Sequence, residues 1–125
     1  MRWSTRSVFA AAAIAAAATP ASAQVPAGDY IGTIHDRGQP VPVVLRIGPT
    51  TGSIRFNEPW ACSLSLAYSS RSDQEVTYAL MGAGGGRCMM LMQGNLRVKP
   101  SGGAVQAELF RRDGISLGRV ALRRQ

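Results

Sequence analysis

Histidine and lysine each occur once in this chain of 125 residues, cysteine occurs twice, and aromatic residues make up 6%. Each scarcity excludes a chemistry. A hydrolase triad needs a base held by a third group; His35 is the only imidazole, and Asp36 beside it belongs to the opposite face of a strand. The one Gly-x-Ser-x-Gly match, Gly114 to Gly118, leads into alternating Val120 and Leu122 with no helical period after it, unlike the strand-to-helix turn of a nucleophile elbow. A four-ligand zinc site needs clustered Cys or His, and neither Cys62 nor Cys88 has a second cysteine nearby. Gly82 to Arg87 is glycine-rich but lacks the Gly-Lys-Ser/Thr ending of a phosphate loop, and no helical period follows it. The acids of the last hundred residues, Asp29, Asp36, Glu58, Asp73, Glu75, Glu108 and Asp113, stand mostly at turns or strand ends, and nothing marks two of them as a glycosidase pair. The expectation is a protein without catalytic residues, cofactor or metal. A small hydrolase survives only if two acids, or His35 and an acid, come to line one concave site.

Long apolar runs are absent apart from Val8 to Ala18. Those eleven residues are too few to span a bilayer, which takes about twenty. Arg2 and Arg6 precede them, Pro20 follows, and Ala21-Ser22-Ala23 makes a small-x-small site. These are the three parts of a cleavable secretory signal. Residues 1–23 are therefore read as a signal peptide and residues 24–125 as a single domain, periplasmic or secreted, with no transmembrane span once the signal is removed. No cysteine stands just after the apolar core for lipid attachment, and no arginine pair precedes it for twin-arginine export.

Both cysteines fall in the 102 residues that remain, and an oxidising compartment favours their pairing. A Cys62–Cys88 bridge would close a loop of 27 residues, counting both ends. In the chain-entropy description that contributes about 3.5 kcal/mol. Without Arg2 and Arg6 the domain carries twelve basic and seven acidic residues, a net charge of +5. From Arg87 onward there are eight basic residues against Glu108 and Asp113. Such a basic half suits an anionic envelope component or an acidic protein, or is simply the solvated face of its strands. No aromatics interleave the arginines as stacking platforms, so nucleic acid is not an expected partner.

What is present in abundance is alternation. Val43, Leu45 and Ile47; Ile54 and Phe56; Cys62, Leu64, Leu66 and Tyr68; Val76, Tyr78 and Leu80; Leu96 and Val98; Val105, Ala107 and Leu109 each take every second place. Ile115 and Leu117 lead into Val120 and Leu122, with Gly118 permitting a bulge. Period two over short runs marks strands with one buried face. Turn clusters at Gly38-Gln39-Pro40, Pro49 to Gly52, Ser69 to Gln74, Gly82 to Gly86, Pro100 to Gly103 and Arg111 to Gly114 leave no room for helical crossovers. The fold class expected is all-β: a small antiparallel barrel or two-sheet sandwich of about eight to nine strands with one disulfide. Cys88 to Met92 reads as one further strand, apolar on both faces, with its methionines in the core. Asn57 to Ala61 breaks the alternation at Pro59, a bulge or corner that places Trp60 either as a plug of one end or as a recognition anchor at its rim.

The order Gly28-x-Tyr30-x-Gly32, Val43-x-Leu45-x-Ile47, Gly52-x-Ile54-x-Phe56, Cys62-x-Leu64-x-Leu66 and a late Cys88 resembles the small one-disulfide β-modules of the extracytoplasmic side of bacteria. These include modules appended to some actinobacterial serine/threonine kinases. The resemblance implies an opening Gly-aromatic-x-Gly strand and two cysteines in core strands. In size, export and single disulfide the chain is also similar to periplasmic β-barrel inhibitors of secreted metalloproteases. Those use a free N-terminal arm, whose counterpart here would be Gln24 to Ala27.

The functional expectation is an exported, non-enzymatic binding or interaction module for an unknown protein, glycan or anionic envelope component. The alternative is an inhibitor of an exported hydrolase. The candidate binding surface comprises Trp60, the sole tryptophan after the signal; Arg87, beside the glycine run that is the best local anion cradle; and Arg111 and Arg112.

Overall fold

The computed structural model describes residues 23–82 and 85–125; all of the expected signal peptide but Ala23 lies outside them. The alternating segments become β1 (Gly28–Asp36), β2 (Gln39–Ile47), β3 (Thr51–Phe56), β4 (Cys62–Arg71), β5 (Val76–Met81), β6 (Asn95–Ser101), β7 (Ala104–Phe110) and β8 (Ser116–Arg124). Each strand pairs antiparallel with the next, and β1 pairs with β8 to close an eight-stranded barrel. Closure decides against the sandwich. With eight strands the interior is just wide enough for side chains to fill it. Tyr30, Leu45, Ile54, Phe56, Leu66, Leu80, Leu96, Leu109 and Leu122 do so, all buried. Their side chains occupy the interior, and the clefts described below lie at the ends or on the wall.

The closing seam is short. Only Tyr30–Arg124, Ile31–Arg123 and Gly32–Leu122 face one another across it. A Cβ at residue 32 would run into the Ala121 carbonyl oxygen, so glycine is what lets β8 approach there. The opening motif thus has two jobs: Tyr30 fills the core, and Gly32 shuts the barrel. At the β1–β2 turn Arg37 and Gly38 both take positive φ, 52° and 80°, as a two-residue hairpin loop with the twist of its strands requires.

Three expectations need correction. Cys88 to Met92 is not a strand: Gly86–Leu91 is a 3-10 helix. Because β5 and β6 already pair directly, Val76 with Val98 through Ala79 with Asn95, the barrel wall has no gap for it. The segment instead crosses one end and drops Cys88 and Leu91, one 3-10 turn apart, into the core. Its Met89 and Met90 face solvent at 65% and 40% exposure. Tyr68 is half exposed, because an irregularity between Tyr68 and Ser70 carries the end of β4 off the barrel. Ile115 and Leu117 also point outward, since the β7–β8 ladder slips a residue between Leu109 and Phe110. That slip, with Gly118 at φ 137°, is the bulge the glycine permits.

The barrel has two unlike ends. One gathers the β1–β2 turn, the Asn57–Ala61 corner, the 3-10 helix and the β7–β8 turn; it carries the Cys62–Cys88 disulfide, Cα atoms 6.0 Å apart. The other gathers the turns after β2, β4 and β6, and an arm formed by residues 23–27. The Ala23 amide donates to Ser72 O at 3.0 Å, the Tyr30 hydroxyl to Pro26 O at 2.7 Å and the Arg124 guanidinium to Ala27 O at 2.7 Å. Val25 packs on the core. The arm therefore lies across its end of the barrel; it neither projects nor joins the sheet. Among the described residues no helix is long and apolar enough to cross a membrane.

Candidate functional site

The four residues singled out from sequence all fall at the disulfide end. Trp60 reaches it because the Asn57–Ala61 corner folds back on itself: the Trp60 and Ala61 amides both donate to Asn57 O, at 3.0 and 3.1 Å. Its indole packs on buried Phe56, ring centroids 4.9 Å apart and tilted by 43°. The indole N–H donates to Asp36 Oδ2 at 3.0 Å. Arg87, at the start of the 3-10 helix, brings Nη2 to 3.6 Å from the same oxygen. Asp36 therefore ties together three segments that are far apart in the chain. Both roles considered for Trp60 are combined here: one edge packs on the core while the residue lines a shallow cleft of about 300 Å³ with Arg37, Gln39, Pro59 and Arg87.

Arg111 and Arg112 stand on the other side of the helix. Arg111 Nη2 is 2.9 Å from Asp113 Oδ2, and Arg112 Nη1 donates to Gln93 Oε1 at 3.1 Å. With Met89, Met90 and Met92 they line a second cleft, of about 510 Å³. The end is thus a ridge, the 3-10 helix with its outward methionines, between two arginine-bordered hollows. The disulfide pins that ridge to β4, and Leu91 anchors it from below.

Chain position gave no hint of Asp36, because nothing at the end of β1 announces a partner in a corner 24 residues later. Met89 and Met90 carry a signal, an apolar run that breaks period two soon after glycines, but the same run also fits a core strand.

The rest of the basic half is dispersed over the wall. Arg97 lies over the Phe110 ring, 4.4 Å from its centroid, and 4.0 Å from Glu75; Arg119 is 3.4 Å from Glu108. Exposed pairs of this kind contribute little to stability. At the arm end the Asp29 carboxylate accepts from Arg46 Nε at 2.9 Å, which holds the carboxyl below its ordinary pKa and raises that of the guanidinium.

Compared with known protein families, curated proteins and solved structures, the chain matches none. The geometry has to speak for itself. Among the described residues no Asp, Glu, His, Lys or Arg side chain is buried, and no three His, Cys, Asp or Glu side chains converge as a metal site would require. His35 sits exposed on β1. What the disulfide end brings together is thioether, indole and guanidinium groups on a backbone that is cross-linked in place.

Proposed function

We propose that the chain is exported, loses residues 1–23, and serves outside the cytoplasm as a non-enzymatic binding module whose disulfide end docks a protein. One observation carries this reading: Trp60, Arg87, Met89, Met90, Arg111 and Arg112, from three separate connections, stand around one rigid end. Exposed methionines suit an adaptable apolar contact, and a pre-ordered surface loses little side-chain freedom on binding. Arg37 and Arg112 have no acidic partner among the described residues, so the partner expected is an apolar side chain flanked by carboxylates. Export fits the cross-linked cysteines.

The test is capture from the cell-envelope extract with the oxidised protein and with a Met89→Glu, Arg112→Glu double variant. A protein held by the first and released by the second supports the proposal. Equal capture by both overturns it. The inhibitor reading is the case in which the captured protein is a hydrolase that loses activity on binding. Here the inhibitory surface would be the disulfide end, because the arm is occupied on its own barrel.

A further inference from the structure

The arm end carries a second, chemically different hollow of about 640 Å³. Its floor is apolar: Ile47 and Val76 are buried, and Pro26 and Pro49 form flat walls. Among the described residues Arg71 is the only charged one that lines it, and no carboxylate pairs with that guanidinium. Two phenols border it, Tyr68 and Tyr78. Tyr78 is 8% exposed, yet its hydroxyl makes no hydrogen bond among the described residues. Among the described residues no fully enclosed side-chain oxygen is left unpartnered, and Tyr78 lines the hollow, so its hydroxyl opens there. The third tyrosine of this end, Tyr30, has its hydroxyl committed to Pro26 O.

A hydroxyl that opens into a hollow without a protein partner is left to water, and a ligand oxygen can take that water's place. An unpaired guanidinium at the rim of an apolar hollow favours an anion, and its planar fork fits a carboxylate. The volume falls within the range of small-molecule sites, where a few polar groups orient a mostly apolar ligand. From these features together we infer that the arm end is a binding site for a small aromatic or alicyclic carboxylate. The ring lies between Pro26, Pro49 and Val76, and the carboxylate accepts from Arg71 and the Tyr78 hydroxyl. The site is separate from the docking surface at the disulfide end, and neither proposal depends on the other. Under the export reading, cleavage after Ala23 would widen the hollow, because Ala23 is one of its walls.

The test uses the oxidised protein, expressed from its complete sequence, and two probes of one shape: 2-naphthoate and the neutral 2-naphthalenemethanol. Titration followed by NMR is expected to show naphthoate shifting Ile47, Tyr68, Val76 and Tyr78 while the Trp60 indole signal stays still. Arg71→Gln, an exposed change that leaves the core intact, should weaken naphthoate about tenfold and the alcohol by less than about twofold. Tyr78→Phe keeps the ring in the core and should weaken naphthoate severalfold. Absence of naphthoate binding at millimolar concentration, shifts centred on the disulfide end, or equal weakening of both probes by Arg71→Gln would each overturn the assignment.

Discussion

The two ends of this barrel are made from the same eight strands and are closed by opposite means. At the disulfide end long connections fold inward: a corner supplies Trp60, a 3-10 helix supplies Cys88 and Leu91, and a covalent bond fastens that helix to β4. At the arm end the connections are tight, and closure falls to a few residues of arm held by three hydrogen bonds and by Val25. One end is filled beneath its helix and cross-linked, its two clefts lying beside the ridge. The other retains a hollow with a phenol facing into it. A strand scaffold therefore sets where ends are, while the length and apolar content of the connections decide whether an end becomes a surface or a recess.

The largest way to test that contrast is to cut the staple. Cys62→Ser with Cys88→Ser is expected to lower stability by about 3.5 kcal/mol, read as a shift of the denaturation midpoint. Amide exchange should rise in Gly86–Leu91 before it rises in the arm; the reverse order would mean that the bridge does not specifically hold the disulfide end. Next comes Leu91→Ala, which empties the space under the helix and should cost about 2–5 kcal/mol. A loss well below that would show the helix to be a loose cover.

Smaller still is Trp60→Phe. It keeps the contact with Phe56 but removes the donor to Asp36, and should cost about 1 kcal/mol. The paired Asp36→Asn, Trp60→Phe cycle should be non-additive, because the two groups share one bond. Additivity would mean the bond contributes nothing in solution.

The smallest effect belongs to the arm end. Burial raises the Tyr78 pKa, with the neighbouring Tyr30 and Tyr68 phenols adding to it. The unfolded chain, with an ordinary tyrosine pKa near about 10, then loses its proton before the folded one does. Stability from this residue is complete below about pH 10 and falls as pH rises from there through the folded value. Tyr78→Phe should remove that part of the alkaline decline and leave the neutral-pH midpoint nearly unchanged; an identical alkaline profile in the variant would assign the decline to other groups.

Much of this architecture was legible in the order of residues, because a half-buried strand writes itself as alternation. The cores of β2, β3, β5, β6 and β7 follow directly from their every-second apolar residues. The one disulfide was legible for another reason, the presence of only two cysteines in a chain expected to reach an oxidising compartment. Where the reading failed, a local rule met a distant constraint. Tyr68, Ile115 and Leu117 keep the alternating spacing but lie where strands leave the barrel. Cys88 and Leu91 have the spacing of a 3-10 turn, yet a helix this short, embedded among methionines, has no capping signal to separate it from a strand. Closure itself depends on β1 meeting β8, and no local pattern encodes a pairing between Tyr30 and Arg124.

The candidate surface was legible as residue types and not as an arrangement. Trp60, Arg87, Arg111 and Arg112 stood out for indole and charge, whereas the carboxylate that joins two of them, Asp36, looked like an ordinary turn residue. The hollow at the other end was invisible, since its lining comes from the arm, the β2–β3 turn and the adjoining ends of β4 and β5.

The Gln125 amide donates to Asp29 O at 2.8 Å, and Arg124 reaches back to Ala27, so head and tail of the domain meet on one side. Any tether, fused domain or immobilising tag, whichever terminus bears it, emerges there. Such a leash would orient the molecule like a lamp on its stand, presenting the methionine ridge to the surroundings and putting the tyrosine recess in its own shade.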